Sequence, residues 1–224
     1  MESRDPSTAS PSSNPRDVLP PWRRNLVTSS LALSAELAHS MQIPLPAYHR
    51  YQGNTNNCGP YTLSIVGNAL VDEERFDPDI VAEEMNRVSL VARPFPHPFV
   101  SRIRNWATFP WGITRYLQEH GFQSRWRTRG TLERLFANLH QQIATIVMIG
   151  EILKSDDRWF AGWGWGHVKA LYGYASQAGF AFVDPGCPKD PSDAWGSQGI
   201  FWQDQISFYR EWSNLLRIYI EVSL

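Results

Sequence analysis

The feature that most constrains this chain is Cys58, which stands in Gln52-Gly53-Asn54-Thr55-Asn56-Asn57-Cys58-Gly59-Pro60 directly ahead of an apolar run. In Tyr61-Thr62-Leu63-Ser64-Ile65-Val66-Gly67-Asn68-Ala69-Leu70, the residues Leu63, Val66 and Leu70 recur at helical spacing, and Ile65 and Ala69 widen the apolar stripe. The pattern predicts a buried helix. Pro60 falls within its first turn, where a missing N–H has no intrahelical partner to lose. A cysteine at a helix start meets unpaired backbone N–H groups and the positive end of the helix dipole, both of which favour the reactive thiolate over the thiol. Alone, a cysteine heading an apolar helix is more often a small buried hydrophobe, so the chemical reading depends on partners elsewhere.

Three residues qualify as partners. Gln52 lies six positions before the thiol, and the Gly and Asn residues between suit a tight loop that folds the amide back beside the sulfur, where it could donate to an oxyanion. Further on, the β-rich runs His167–Tyr174 and Gly179–Asp184 are separated by Ala175-Ser176-Gln177-Ala178 and predict a hairpin. Folding back about that turn brings Asp184 opposite the His167 end of the first strand. Its carboxylate is expected to accept the Nδ1–H of His167, leaving Nε2 to exchange a proton with Cys58.

The order Gln52, Cys58, His167, Asp184 resembles the papain-like cysteine peptidases, in which an oxyanion-hole Gln precedes the nucleophile by the same short spacing and a distant His and Asn or Asp follow. Within that superfamily the chain is most similar to the bacteriocin-processing-peptidase-like group, which pairs an Asn/Asp-Cys-Gly-Pro helix start with a late Gly-His strand and an Asp-Pro turn. Asn57 stands where the group often has Asp. The likeness runs from about Ile43 to Leu224 and takes in three further landmarks: a helix from Gly112 to Gly121, another from Thr131 to Gln141, and a buried strand from Ile143 to Ile149. It implies an α+β fold of the papain-like kind, with a helical half bearing Cys58 packed on an antiparallel sheet bearing His167 and Asp184. It also implies a catalytic triad of Cys58, His167 and Asp184, with Gln52 in the oxyanion hole.

Composition predicts one domain and a tail. A chain of 224 residues with 42% hydrophobic content can build a single core, and a formal net charge of −1 gives no electrostatic case for nucleic acid or an anionic membrane. Residues 1–21 are rich in Ser and Pro, the composition of a disordered tail. Residues 1–40 are therefore read as an N-terminal segment outside a catalytic domain of residues 41–224, with Leu26 to Met41 able to form a short helix, as tail or as cleft-covering propeptide. Arg23 and Arg24 before Leu26–Ala35 faintly resemble a signal peptide, but three Ser and a Thr dilute the run, and an amphipathic helix fits it better. No stretch approaches the roughly 20 apolar residues that span a bilayer. Only two cysteines, Cys58 and Cys187, rule out a disulfide framework and favour a reducing, cytoplasmic setting over a secreted one.

The remaining motifs carry less. His39, His49, His97, His120 and His140 show no metal-ligand spacing, so neither metal nor cofactor is expected. In Trp159-Phe160-Ala161-Gly162-Trp163-Gly164-Trp165-Gly166, the alternation of Trp163 and Trp165 with glycines, ending on Gly166, could line a substrate cleft. Val91 to Trp111, with four prolines, suits an irregular excursion over the site. Gly199 to Trp212 suggests one more helix, and Leu216 to Val222 a closing strand. The expected function is a thiol hydrolase, most directly a peptidase acting on a peptide or protein substrate. The alternatives are an amidase or transferase passing the acyl group to an amine, and a binding protein that keeps the fold without turnover.

Overall fold

The computed structural model describes residues 39–87, 89–92, 96–152 and 163–224. In chain order its strands are β1 His39–Ser40, β2 Ser89–Ala92, β3 Pro96–Phe99, β4 Arg102–Ile103, β5 Ala107–Thr108, β6 Gln123–Arg127, β7 Ala144–Ile152, β8 Trp163–Ala175, β9 Gly179–Val183, β10 Ile200–Gln203 and β11 Tyr219–Ser223. Its helices are α1 Cys58–Val71, α2 Pro78–Met85, α3 Pro110–Glu119, α4 Leu132–His140 and α5 Gln205–Asn214. The main sheet is antiparallel in the order β10-β9-β8-β7-β11-β6, with β1 added to β8 through His39–Tyr174 and Ser40–Gly173. The molecule is thus α+β, with α1, α2 and α3 ahead of most strands of the main antiparallel sheet and α4 and α5 inserted between its later strands.

The α1 helix begins at Cys58, and every residue from Gly59 to Ala69 is buried, as the broad apolar stripe requires. It stops at Asp72, which takes the left-handed conformation with φ 53°; its N–H returns to Asn68 O. The Asn68 side chain then holds the connection to α2, accepting from the N–H groups of Arg75 and Phe76 and donating to Phe76 O. Thr62 Oγ1 donates to Val168 O at 2.9 Å in the buried interior. That bond ties the cysteine helix directly to β8, the strand that carries His167.

Behind the sheet, α5 lays Phe208 against Phe180 and Phe182 of β9, with ring centroids 4.9 Å apart for Phe180–Phe208 and 5.2 Å for Phe182–Phe208, and Trp212 stacks on Phe208 at 5.4 Å. Such tilted aromatic packing, fully buried, anchors the helix to the strand leading into Asp184. A second small cluster, Ala175, Ala178, Ala181, Ile200 and Trp202, sits under the outer strands.

Two expectations change. The run from Gly199 to Trp212 is not one helix: Ile200–Gln203 forms β10, paired to β9 from Ile200–Val183 to Gln203–Phe180, and only then does Asp204 cap α5. The largely apolar Ile-Phe-Trp-Gln tetrapeptide completes the sheet edge, and Asp204, whose side chain accepts the Ser207 N–H, marks the switch to helix. The helix expected from Gly112 begins two residues earlier, at Pro110, since proline is favoured at a first helical position. The helix at Leu132–His140 behind its Thr131 cap and the hairpin of β8 and β9 fall where the pattern placed them.

Candidate active site

The β8–β9 hairpin decides where the chemistry sits. Its register pairs Ala170 with Val183 and Leu171 with Phe182, so the chain leaves β9 at Asp184 alongside the His167 end of β8. His167 Nε2 and Asp184 Oδ1 lie 2.6 Å apart, with side chains only 2% and 3% exposed. Asp184 Oδ1 also accepts the Gly186 N–H at 2.8 Å, which fixes the carboxylate in the Pro185-Gly186 turn.

The contact reverses the nitrogen roles expected from sequence. Nε2, not Nδ1, meets the carboxylate, so Nδ1 is the nitrogen left to the Cys58 side, and Cys58 is a side-chain hydrogen-bond partner of His167. Strand register brings Asp184 alongside His167 but does not dictate which ring nitrogen it meets; the side-chain contact itself is to Nε2. Burial alone would push the His167 imidazole down. The Asp184 charge and hydrogen bond, with the bond to Cys58, outweigh it and raise His167 to about 9. Burial likewise opposes ionisation of Asp184, but the His167 charge, its hydrogen bond, and Lys169 together hold the carboxyl below its ordinary value. Cys58 is half-buried at the start of α1, and Cys187, also a free thiol, is buried.

Gln52 is buried in the loop ahead of α1. Its backbone N–H donates to Pro185 O at 2.8 Å, which joins that loop to the turn after Asp184. Its side chain faces its own loop: Nε2 donates to Thr55 O at 2.7 Å, Thr55 Oγ1 returns a bond to Gln52 O, and Oε1 is buried without a partner. Gly166 is exposed beside His167, while Trp165 is half-buried and donates through Nε1 to Glu151 Oε2 at 2.9 Å. Trp163 opens β8 across the bulge at Ile152. Trp159 to Gly162 lie outside the described residues.

Three residues that sequence reading passed over surround the pair. His49 is 8% exposed and its Nε2–H donates to Asp184 O at 2.9 Å, steadying the carboxylate's own backbone. Lys169, two residues along β8 from His167, is fully enclosed; its Nζ donates to Gln203 Oε1 at 2.6 Å and sits 3.9 Å from the centre of the Phe182 ring. Arg102, from the proline-rich excursion, is buried against the loop before Cys58. A lone His, Lys or Arg far away in sequence carries no local signal of such a placement; the β-rich run around Lys169 was the nearest hint. That excursion contains the two-stranded pairs β2–β3 and β4–β5, with residues 93–95 outside the described set. A cavity of about 290 Å³ borders Asn57 and is lined by Glu83, Asn86, Arg102 and Arg104, but neither Cys58 nor His167 lines it, so it is not the cleft between that pair.

No group of three or more His, Cys, Asp or Glu able to hold a metal occurs among the described residues, and none of their helices is long and apolar enough to cross a membrane.

This arrangement of a cysteine helix against an antiparallel sheet bearing His and Asp is the papain-like cysteine peptidase fold. Among solved structures, the chain is similar to a structure described as a C39-like peptidase from Bacillus anthracis, at 14% identity and a TM-score of 0.58, over 83% of this chain and 98% of that one. It is also matched by the peptidase domain of Streptococcus ComA, described as a bi-functional ABC transporter involved in a quorum sensing pathway, at 18% identity and a TM-score of 0.49, over 79% of this chain and 98% of that one. A complex of the Streptococcus mutans ComA peptidase domain with a small-molecule inhibitor matches at 18% identity, a TM-score of 0.41 and the same coverage, 79% and 98%. No family model and no curated protein matches the chain.

Proposed function

We infer that this protein is a cysteine peptidase-like thiol hydrolase, with Cys58 as nucleophile, His167 as general base and acid, and Asp184 as its orienting carboxylate. The observation that carries the reading is the buried His167–Asp184 contact of 2.6 Å, whose histidine is in turn hydrogen-bonded to Cys58. A peptidase fold in which these groups converge supports peptide or amide bonds as the substrate class.

In this mechanism Nδ1 of His167 takes the Cys58 proton, and the sulfur attacks the carbonyl carbon of the scissile bond. The negative charge that develops on the carbonyl oxygen faces the start of α1, where the Cys58 N–H donates, and the Gln52 amide proton not used by Thr55 is the second candidate donor. His167, held by Asp184 through Nε2–H, returns its proton to the leaving amine as the C–N bond breaks. Water then attacks the acyl-thioester, giving a proton to His167, and the carboxylic acid departs with Cys58 regenerated. The chain's own residues supply each proton transfer.

The test is an irreversible epoxide directed at thiols, with intact mass as the readout. One adduct at Cys58 and none at Cys187 is expected, together with loss of cleavage in a diverse peptide library. No adduct at Cys58, or a library left uncleaved by protein that does take the adduct, would count against hydrolysis; in the second case, transfer of the acyl group to an added amine would favour the transferase reading.

A further inference from the structure

Asn57 stands at the N-cap of α1, yet its side chain makes no capping hydrogen bond and its backbone sits at φ −98°, ψ 19°. Three other helices are capped by extended residues: Asp77, Thr131 and Asp204, with ψ of 124°, 158° and 150°, accept N–H groups of α2, α4 and α5. Asn ranks with the best capping residues, so an Asn that does not cap requires a competing partner. That partner is Arg102. Its Nη2 donates to Asn57 Oδ1 and, at 3.5 Å, to Asn56 O, while Nη1 donates to Asn86 Oδ1 at 2.8 Å and Ala82 O at 3.3 Å.

The rest of the β4–β5 hairpin fastens the same loop. Asn56 Nδ2 donates to Asn105 O at 2.6 Å, and Thr108 packs so closely on Gly59 that an added Cβ would lie 2.5 Å from Thr108 Cβ. Among the described residues, neither the Cys58 nor the Gly59 amide has an acceptor. Arg102 itself is 4% exposed and lies within electrostatic reach of Cys58.

We propose that Arg102 is a positioning residue for the nucleophile: it draws the Asn57 carboxamide off the start of α1, leaving that helix end uncovered for a substrate oxyanion, and it sets a buried positive charge beside Cys58. This rests on the reading of Cys58 as nucleophile. A guanidinium stays charged at working pH, so Arg102 holds a fixed positive charge against the Asn56-Asn57 backbone that leads into Cys58.

The probe is iodoacetamide, with Cys58 and Cys187 followed separately by peptide mass spectrometry on the folded full chain between about pH 5 and 9. Unmodified protein tests the nucleophile reading by itself, and equal rates at the two thiols would overturn that reading. Where Cys58 is the faster, Arg102→Gln is expected to slow it roughly tenfold at about pH 6 and to move its pH profile upward, with Cys187 unchanged. The charged or titratable groups facing Arg102 are Cys58, Glu83 and Arg104, and His167, itself facing Asp184, lies on the other side of Cys58. Glu83→Gln is accordingly a control that should leave the profile in place. Asn57→Ala alone should change the rate by less than about twofold, and in the Arg102→Gln background it should recover part of the loss, because the carboxamide free to cap the helix is gone. No recovery would remove the uncapping role. An unchanged profile in folded Arg102→Gln protein overturns the proposal outright. Should that variant not fold, Arg102→Lys replaces it: a single ammonium cannot bridge Asn57 and Asn86 as the fork does, so a fall of about threefold supports the proposal and an unchanged rate overturns it.

Discussion

At the scale of single residues, the contest at His167 is between burial, which favours the neutral ring, and the Asp184 carboxylate, which favours the cation. Asp184 wins because it is equally buried and only 2.6 Å away, where water cannot screen the pair. Asp184→Asn keeps the shape and removes the charge, so burial should regain ground and bring His167 well down from about 9. NMR titration of the His167 ring reads this directly; a ring still charged well above neutral pH in the folded variant would refute the account. The same variant should slow Cys58 labelling by about 10- to 100-fold at mildly acidic pH, whereas His167→Ala should abolish turnover. The sequence placed Asp184 beside His167 correctly. It misassigned the ring nitrogens, because a one-dimensional pattern gives the neighbour but not the edge of the ring that the neighbour meets.

At the scale of elements, a buried polar chain crosses from β8 through β10 to α5: Lys169 Nζ donates to Gln203 Oε1 at 2.6 Å, and Gln203 Nε2 donates to Glu211 Oε2 at 2.7 Å. All three residues are at most 3% exposed. Burial is the largest influence on Lys169 and lowers its pKa, while the charges of Asp184 and Glu211 work against that fall. Removing one end takes an opposite charge away from the enclosed group at the other end. Lys169→Met should therefore cost about 3–5 kcal/mol in urea unfolding, and adding Glu211→Leu should return part of that loss. A double variant as unstable as the sum of the singles would show that the two ends do not act together. Pattern reading found β8 and β9 from their β-rich runs about a turn and missed β10, because four residues ending in Gln are too short to separate from the helix that follows.

At the scale of the whole molecule, the site couples folding to pH. His167 is raised in the folded state, so its contribution to stability is complete below about 6.5 and is lost as pH rises through about 9. Asp184 is depressed, so its contribution is present above 3.8 and is lost as pH falls. The melting temperature should thus be highest from about pH 4 to 6.5 as far as this pair is concerned, and Asp184→Asn should flatten both limbs in calorimetric scans against pH. A profile identical to that of the unmodified chain would contradict the coupling. Composition also predicts that residues 1–38 are dispensable. Deleting them should leave the melting temperature and Cys58 labelling nearly unchanged, a sharp rise in labelling would mark a cover over the cleft, and failure to fold would show that they belong to the core.

What the sequence determined by itself was everything governed by short-range periodicity: the buried helix after Cys58, the Thr131-capped helix, the hairpin joining His167 to Asp184, and with them the α+β class. These follow from side chains a few positions apart, whose spacing is the same in the chain as in the fold. Tertiary structure alone decided which imidazole nitrogen faces Asp184, that His49 and Lys169 flank that carboxylate, and that Arg102 reaches across 45 positions to hold Asn57. Those outcomes depend on strand register and on how a proline-rich excursion packs, and no local pattern encodes a contact whose partners meet only after the sheet and helices have assembled.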